Sequence, residues 1–219
     1  MPDPIRVYIS CSAVERTPAE VLAFTIREHA SRECEIYFTY EHVPKMQWPT
    51  TREARPRTNF SYHRFCVPQL CGYKGRAISM DSDMLVFGDI AEIFDAPMAD
   101  GVNVLSACPI GRPHQNSSVM VLDCERVPWL IEEMLVRINS GRYTYGDIMR
   151  LEKIGVKWAP VDHQWNCLDV WTPQTKLIHY TDMGRQPFLP GKENAHPFGH
   201  LWFSARDRML AANKAGQPS

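Results

Sequence analysis

Ile5, Val7 and Ile9 alternate with Arg6, Tyr8 and Ser10, the period of two that marks a strand, and the run stops at a small-residue loop, Ser10-Cys11-Ser12. Thr17-Pro18-Ala19-Glu20 then reads as a helix start, with Thr17 at the N-cap, Pro18 in the first helical position and Glu20 closing a capping box. Ala19, Leu22, Ala23, Ile26 and Ala30 follow at helical spacing, and Glu35 to Phe38 forms a second short strand. Such a β-α-β opening predicts a parallel, right-handed crossover.

Residues 39 to 58 carry Pro44, Pro49 and Pro56 with Arg52, Arg55 and Arg57, which predicts a basic loop. Asn59 to Tyr73 reads as a helix bearing Tyr62, Phe65, Cys66 and Leu70, kinked at Pro68 and ended by Gly72 and Gly75. Arg76 to Met80 is a buried strand that runs directly into Asp81-Ser82-Asp83. A helical turn at Ile90 to Phe94 and strands at Asn103 to Ala107 and Val119 to Leu122 continue the alternation of types. Pro128 opens a helix with Leu130, Ile131, Met134, Leu135 and Ile138 inside and Gly141 at its stop. A helix over Asp147 to Lys153 leads to strands near Val156 to Ala159 and Lys176 to Tyr180.

At 219 residues the chain suits one α/β domain, expected over 1–213, with a disordered tail at 214–219. A formal net charge of -1 gives no electrostatic reason to expect a nucleic acid. Met1 to Arg6 does not read as a leader and no run is apolar and long enough to suggest a membrane span, and seven scattered cysteines read as reduced thiols, so a cytoplasmic setting is expected.

Asp81-Ser82-Asp83 is the constellation that carries chemistry. Residues two apart in extended chain point the same way, so both carboxylates can face one cation that bridges the oxygens of a diphosphate. Twelve aspartates in the chain make a chance pair of this spacing ordinary. Its position at the carboxyl end of an apolar strand, where open α/β sheets bind ligands, favours a metal site.

Phe60-Ser61-Tyr62-His63-Arg64-Phe65, then Gly72 through Val86 around the aspartates, and Gly88-Asp89-Ile90 resemble glycosyltransferase family 8, the family of glycogenin and bacterial lipopolysaccharide galactosyltransferases. Gln115 to Asp123 resembles the family's asparagine-led strand, and Leu177 to Phe188 its late histidine motif. The resemblance runs from Ile5 to Phe188. It implies a GT-A fold, Rossmann-like, with a mainly parallel sheet flanked by helices, and a metal-dependent transfer of a hexose from a UDP-sugar to an acceptor hydroxyl with retention.

The resemblance further implies that Asp81, Asp83 and His179 bind the metal, an oxygen-plus-imidazole set suited to Mn²⁺ more than to Mg²⁺. Arg64 would sit near Asp81 and the sugar, since a guanidinium fork suits carboxylate or sugar oxygens. Tyr8, Ile9, Ser10, Cys11 and Ser12 would contact base and ribose, Ser82 would belong to the donor site, and Asn116 would lie beside donor sugar or acceptor. Family members carry Gly three and Lys six residues after the histidine. Here Asp182 and Arg185 hold those places and Gly184 comes five after, so Arg185 stands as a replacement for the lysine at the diphosphate. Asp147 and Asp162 are the carboxylates considered near the anomeric carbon, neither assigned as nucleophile. Trp165-Asn166 resembles a loop near the acceptor, where the indole either stacks on a sugar or fills core. Arg52, Arg55 and Arg57 read first as solvated charges and second as a cover for a diphosphate. Two other readings stay open: a sugar-phosphate nucleotidyltransferase, disfavoured because Ser10-Cys11-Ser12-Ala13 lacks glycine, and a non-catalytic nucleotide-sugar-binding module.

Overall fold

The computed structural model describes residues 4–109, 111 and 116–215. Gln115 and the end of the tail, 216–219, lie outside the described residues. In chain order the elements are β1 (Ile5–Ser10), α1 (Arg16–His29), β2 (Cys34–Phe38), α2 (Thr39–His42), a 3₁₀ turn (His63–Cys66), α3 (Val67–Leu70), β3 (Arg76–Asp81) and β4 (Met84–Val86). There follow α4 (Ala91–Phe94), β5 (Val104–Ser106), β6 (Val119–Asp123), α5 (Ile131–Asn139), α6 (Tyr145–Met149), β7 (Trp158–Pro160), a 3₁₀ turn (His163–Asn166), β8 (Cys167–Leu168), β9 (Leu177–His179) and α7 (Gly199–Ala215).

The central sheet has the order β2-β1-β3-β6-β5-β7. β1 is parallel to β2 and β3, β7 is parallel to β5, and only β6 runs antiparallel to its neighbours. Alternation along β1 divides the core. Ile5, Val7 and Ile9 pack with Leu22 and Ile26 of α1 on one face, while Tyr8 joins Phe65, Trp129 and Ile138 of α5 on the other. Helices therefore cover both faces, as a mainly parallel sheet with near-continuous apolar strands requires.

A second sheet, β4-β9-β8, matters more for the site. β4 leaves the Asp81-Ser82-Asp83 turn and pairs antiparallel with β9, with Met84 opposite His179. β9 and the loop after it rest on a third apolar cluster, where Ile178 and Tyr180 meet Trp202 and Met209 of α7 and Val21 of α1. None of β4, β8 or α7 is predicted by the sequence pattern: the two strands are too short to show a period, and α7 mixes Trp, Arg and Leu around its circumference.

Four local expectations are corrected. α1 begins at Arg16 with Glu15 at the cap and no side-chain cap bond, so Thr17 lies within the first turn and Glu20 pairs instead with Arg16 at 2.7 Å. The helix expected over 59–73 is a 3₁₀ turn followed by one α turn, with Pro68 near its start rather than at a kink. α5 begins at Ile131, not Pro128, and Leu130 is 38% exposed because the buried place before the helix belongs to Trp129. α6 stops at Met149, since Leu151 and Lys153 both take positive φ, near 61°.

His63, the first residue of the 3₁₀ turn, gives the fold an acid-sensitive point. Its Nδ1 lies 3.0 Å from the Thr39 hydroxyl, and burial, then the Arg64 charge, push its pKa down to about 4. The unfolded chain binds that proton near pH 6.5 and the folded chain does not, so stability is full above pH 6.5 and falls as pH drops toward 4. We expect the loss to be on the order of 2 kcal/mol, allowing for partial exposure. Urea unfolding at pH 7 and pH 5 measures it, and His63→Gln should flatten the difference.

Candidate active site

Asp81 closes β3 beside Ser10, its register partner at the end of β1, which places the acidic turn at the carboxyl edge of the parallel strands. Asp83 starts β4. The Tyr180 amide donates to the Asp83 carbonyl at 2.8 Å, locking this turn against the end of β9. As a result one ligand atom each from Asp81, Asp83 and His179 lies within 4.8 Å of the others. His179 Nε2 stands 3.1 Å from Asp83 Oδ1 and 4.0 Å from Asp81 Oδ2.

The imidazole is aimed by Asn166. Asn166 Nδ2 donates to the Ala107 carbonyl at 2.9 Å, so its Oδ1 faces His179 Nδ1 at 3.0 Å and accepts its proton. That fixes the tautomer with Nε2 toward the carboxylates, the arrangement metal-binding histidines use. Loss of this bond leaves the ring free to turn or change tautomer. Asn166→Ala is therefore expected to weaken Mn²⁺ binding by about 10- to 100-fold, read by metal titration of the folded protein.

Arg64 is buried behind Asp81. Its Nη2 pairs with Asp81 Oδ1, Nη1 donates to the Ser117 carbonyl at 2.7 Å and Nε to the Ser61 carbonyl at 3.0 Å. Burial raises the Asp81 carboxyl above the usual carboxylate range, Arg64 opposes this and Asp83 adds to it. Burial works against a charged His179, but the carboxylates, Asp83 foremost, outweigh it and raise the imidazole pKa. The cluster thus draws positive charge. Two carboxylates and an Nε2 lone pair fit a divalent cation of borderline softness.

Asp81, Ser82, Asp83, His179 and Arg64 line a cleft of about 490 Å³ whose walls include Glu15, Arg57, Tyr145, Arg150, Thr181 and Gln186. Gln186 Nε2 donates to Asp83 Oδ2 and to the Tyr180 carbonyl, both at 2.8 Å. Neither Gln186 nor Glu15 is singled out by sequence reasoning. Gln186 lies within the late histidine motif, but only the fold shows that it reaches back across to Asp83.

The remaining expected site residues are placed as follows. Tyr8 stacks on Tyr37 at 4.9 Å, Ile9 sits in the core, Ser10 is buried, the Cys11 amide donates to the Thr39 hydroxyl, and Ser12 bonds Glu15. Glu15, not these five, forms the cleft wall on that side. Asn116 is buried, its Oδ1 has no partner among the described residues, and it lines a second hollow of about 310 Å³ that shares Arg150 with the cleft. Asp147 makes the capping box of α6 with Thr144, which holds its carboxyl below the usual range, and pairs with Lys153 at 3.1 Å. Asp162 caps the turn that carries Asn166 and is exposed, 3.5 Å from Lys176. Arg185 is exposed and pairs with Asp182 at 2.6 Å, and the Gly184 amide donates to the same carboxylate. Trp165 is fully buried in the core. Of the basic loop, Arg57 reaches the cleft and lies over the Tyr145 ring at 5.8 Å, while Arg52 and Arg55 are exposed.

No family model matches the chain, and no curated protein matches it in sequence. Its structure is similar to that of the galactosyltransferase LgtC solved with donor and acceptor sugar analogs, with a TM-score of 0.70 and 11% identity over 93% of this chain and 96% of that one. It is similar to the glycosyltransferase GlyE of Streptococcus pneumoniae TIGR4, with a TM-score of 0.65 and 13% identity over 97% of this chain. The bifunctional glycosyltransferase WbbM gives 0.61 and 13% over 94%. This chain spans 63% of the GlyE chain and 52% of the WbbM chain. The fold is therefore the GT-A fold of glycosyltransferases.

Proposed function

We propose that the chain is a cytoplasmic, metal-dependent glycosyltransferase, one domain over 1–213 with a short tail, that moves a hexose from a UDP-sugar to an acceptor hydroxyl with retention. The observation that carries the reading is the convergence of Asp81, Asp83 and His179 at the floor of a cleft in a GT-A fold. Asp81, Asp83 and His179 would hold Mn²⁺, which when bound neutralises charge building on a departing diphosphate.

The chain's own residues supply the rest. Asn166 and Gln186 hold His179 and Asp83 in ligating orientation, and Arg64 fixes Asp81 and presents a guanidinium edge at the cleft for a sugar oxygen. Ser82 lines the cleft and Ser10 ends β1 beside Asp81, so a nucleotide would lie near this edge, with Tyr8, Ile9, Cys11 and Ser12 backing it rather than lining the cleft. Asn116 would offer its buried carbonyl oxygen, which has no partner among the described residues, to a hydroxyl of donor or acceptor. Arg185 is paired with Asp182, so Arg57, and Arg150 in so far as its pairs with Glu152 at 2.9 Å and Asp147 at 3.4 Å can open, would be the cleft's other cations for a diphosphate or an anionic acceptor. No helix among the described residues is long and apolar enough to cross a membrane.

The test is release of UDP from a panel of UDP-sugars at saturating Mn²⁺, with and without simple glycoside acceptors. Metal-dependent release that a chelator abolishes is the expected result. No release from any donor, with Mn²⁺ or Mg²⁺, would count against a transferase.

A further inference from the structure

Asp169 and His196 have no part in the cation cluster, and His196 lies beyond the stretch that resembles the family. Asp169, next after β8, takes φ 58°, a left-handed conformation that favours Gly or Asn. Its amide donates to the His179 carbonyl at 2.9 Å. Its carboxylate accepts from the Thr181 amide at 2.9 Å, the Thr181 hydroxyl, the Asp182 amide at 3.3 Å and His196 Nε2 at 3.2 Å. The His196 side chain is 1% exposed. Its Nδ1 accepts from the Phe198 amide at 3.1 Å, which leaves the ring proton on Nε2, aimed at Asp169. The ring also meets Tyr180 edge-on at 4.8 Å.

The Asp169 carboxylate ties down Thr181 and Asp182 at the start of the loop from Tyr180 to Gln186, its amide holds the end of β9 at His179, and His196 links it to the chain beyond the loop. That loop brings Thr181 and Gln186 to the cleft, and Gln186 holds Asp83. We infer that Asp169 and His196 are positioning residues that set the 180–186 loop so that Gln186 keeps Asp83 in its metal-binding orientation. An ordinary turn at this φ would be served at lower cost by Gly or Asn; a carboxylate is needed only if several donors must converge on one point. Four donors do so here. The inference rests on the proposed metal site.

Asp169→Asn suits the left-handed φ but removes the negative charge on which the four donors converge, and the Thr181 hydroxyl must turn from donor to acceptor to meet the new amide. His196→Phe keeps the ring contact with Tyr180 and loses both hydrogen bonds. Mn²⁺ affinity of the full chain is measured by calorimetric titration, beside urea unfolding without metal. Both variants should bind Mn²⁺ about 10- to 100-fold more weakly, and Asp169→Asn should do so with its unfolding midpoint close to native. A purely structural role would move the midpoint and not the affinity of the folded fraction. Gln186→Ala should show the same loss, and adding it to Asp169→Asn should produce no further one, because both act on Asp83. Native-like Mn²⁺ affinity in Asp169→Asn and His196→Phe, or additive losses in the double variant, would overturn the inference while the metal site stands. Failure of the native chain to bind Mn²⁺ would overturn the site itself.

Discussion

Asp83→Ala should lower metal-dependent transfer by about 1,000-fold, the equivalent of several kcal/mol of charge stabilisation at the leaving group. The substitution removes one carboxylate from the cluster with Asp81 and His179, together with the oxygen that Gln186 Nε2 bonds at 2.8 Å. Asp83 is partly exposed, and its carbonyl, which the alanine retains, is what anchors Tyr180, so the fold should persist. Steady-state rates of UDP release at rising Mn²⁺ distinguish weaker metal binding, which excess metal rescues, from lost chemistry, which it does not. Activity within a few-fold of native at all Mn²⁺ concentrations would remove Asp83 from the mechanism.

Arg64→Ala should destabilise the protein by about 3–5 kcal/mol, the range for deleting one partner of a buried charge pair. The Arg64 side chain is 8% exposed, and its loss removes the counter-charge of Asp81 and the donors to the carbonyls of Ser61 and Ser117. A cation at the cluster would give Asp81 a second counter-charge, so the deficit should shrink when Mn²⁺ is present. Urea unfolding with and without Mn²⁺ reads both effects. An equal deficit in the two conditions would mean that Arg64 and the metal do not share Asp81.

The sequence pattern leads directly to the acidic turn, because the apolar run from Ala77 to Met80 gives a strand and the aspartates follow at its end. It does not lead to His179 without the family resemblance, since the contact between β4 and β9 joins residues far apart in the chain and β4 has only three residues. Asn166, Gln186, Asp169 and His196 carry no local signature at all: their roles arise from side-chain bonds across loops. Thr17 and Thr144 show the opposite problem. Both begin a Thr-x-x-acid pattern, and only Thr144 forms the box, with Asp147. Asp147 is therefore legible as a cap as well as a candidate carboxylate for chemistry. Arg57 illustrates a third limit, for three arginines in one proline-rich loop look alike until folding brings a single one to the cleft.

The most direct measurement of the central claim is thermal unfolding of the native chain and Asp83→Ala with Mn²⁺, UDP and both together, since a ligand that binds only the folded state raises the midpoint by mass action. The account predicts a rise with Mn²⁺ plus UDP in the native chain, larger than with either alone, and none in Asp83→Ala. A native midpoint unmoved by Mn²⁺ and UDP, or an equal rise in the variant, would contradict a nucleotide-sugar site built on Asp81, Asp83 and His179.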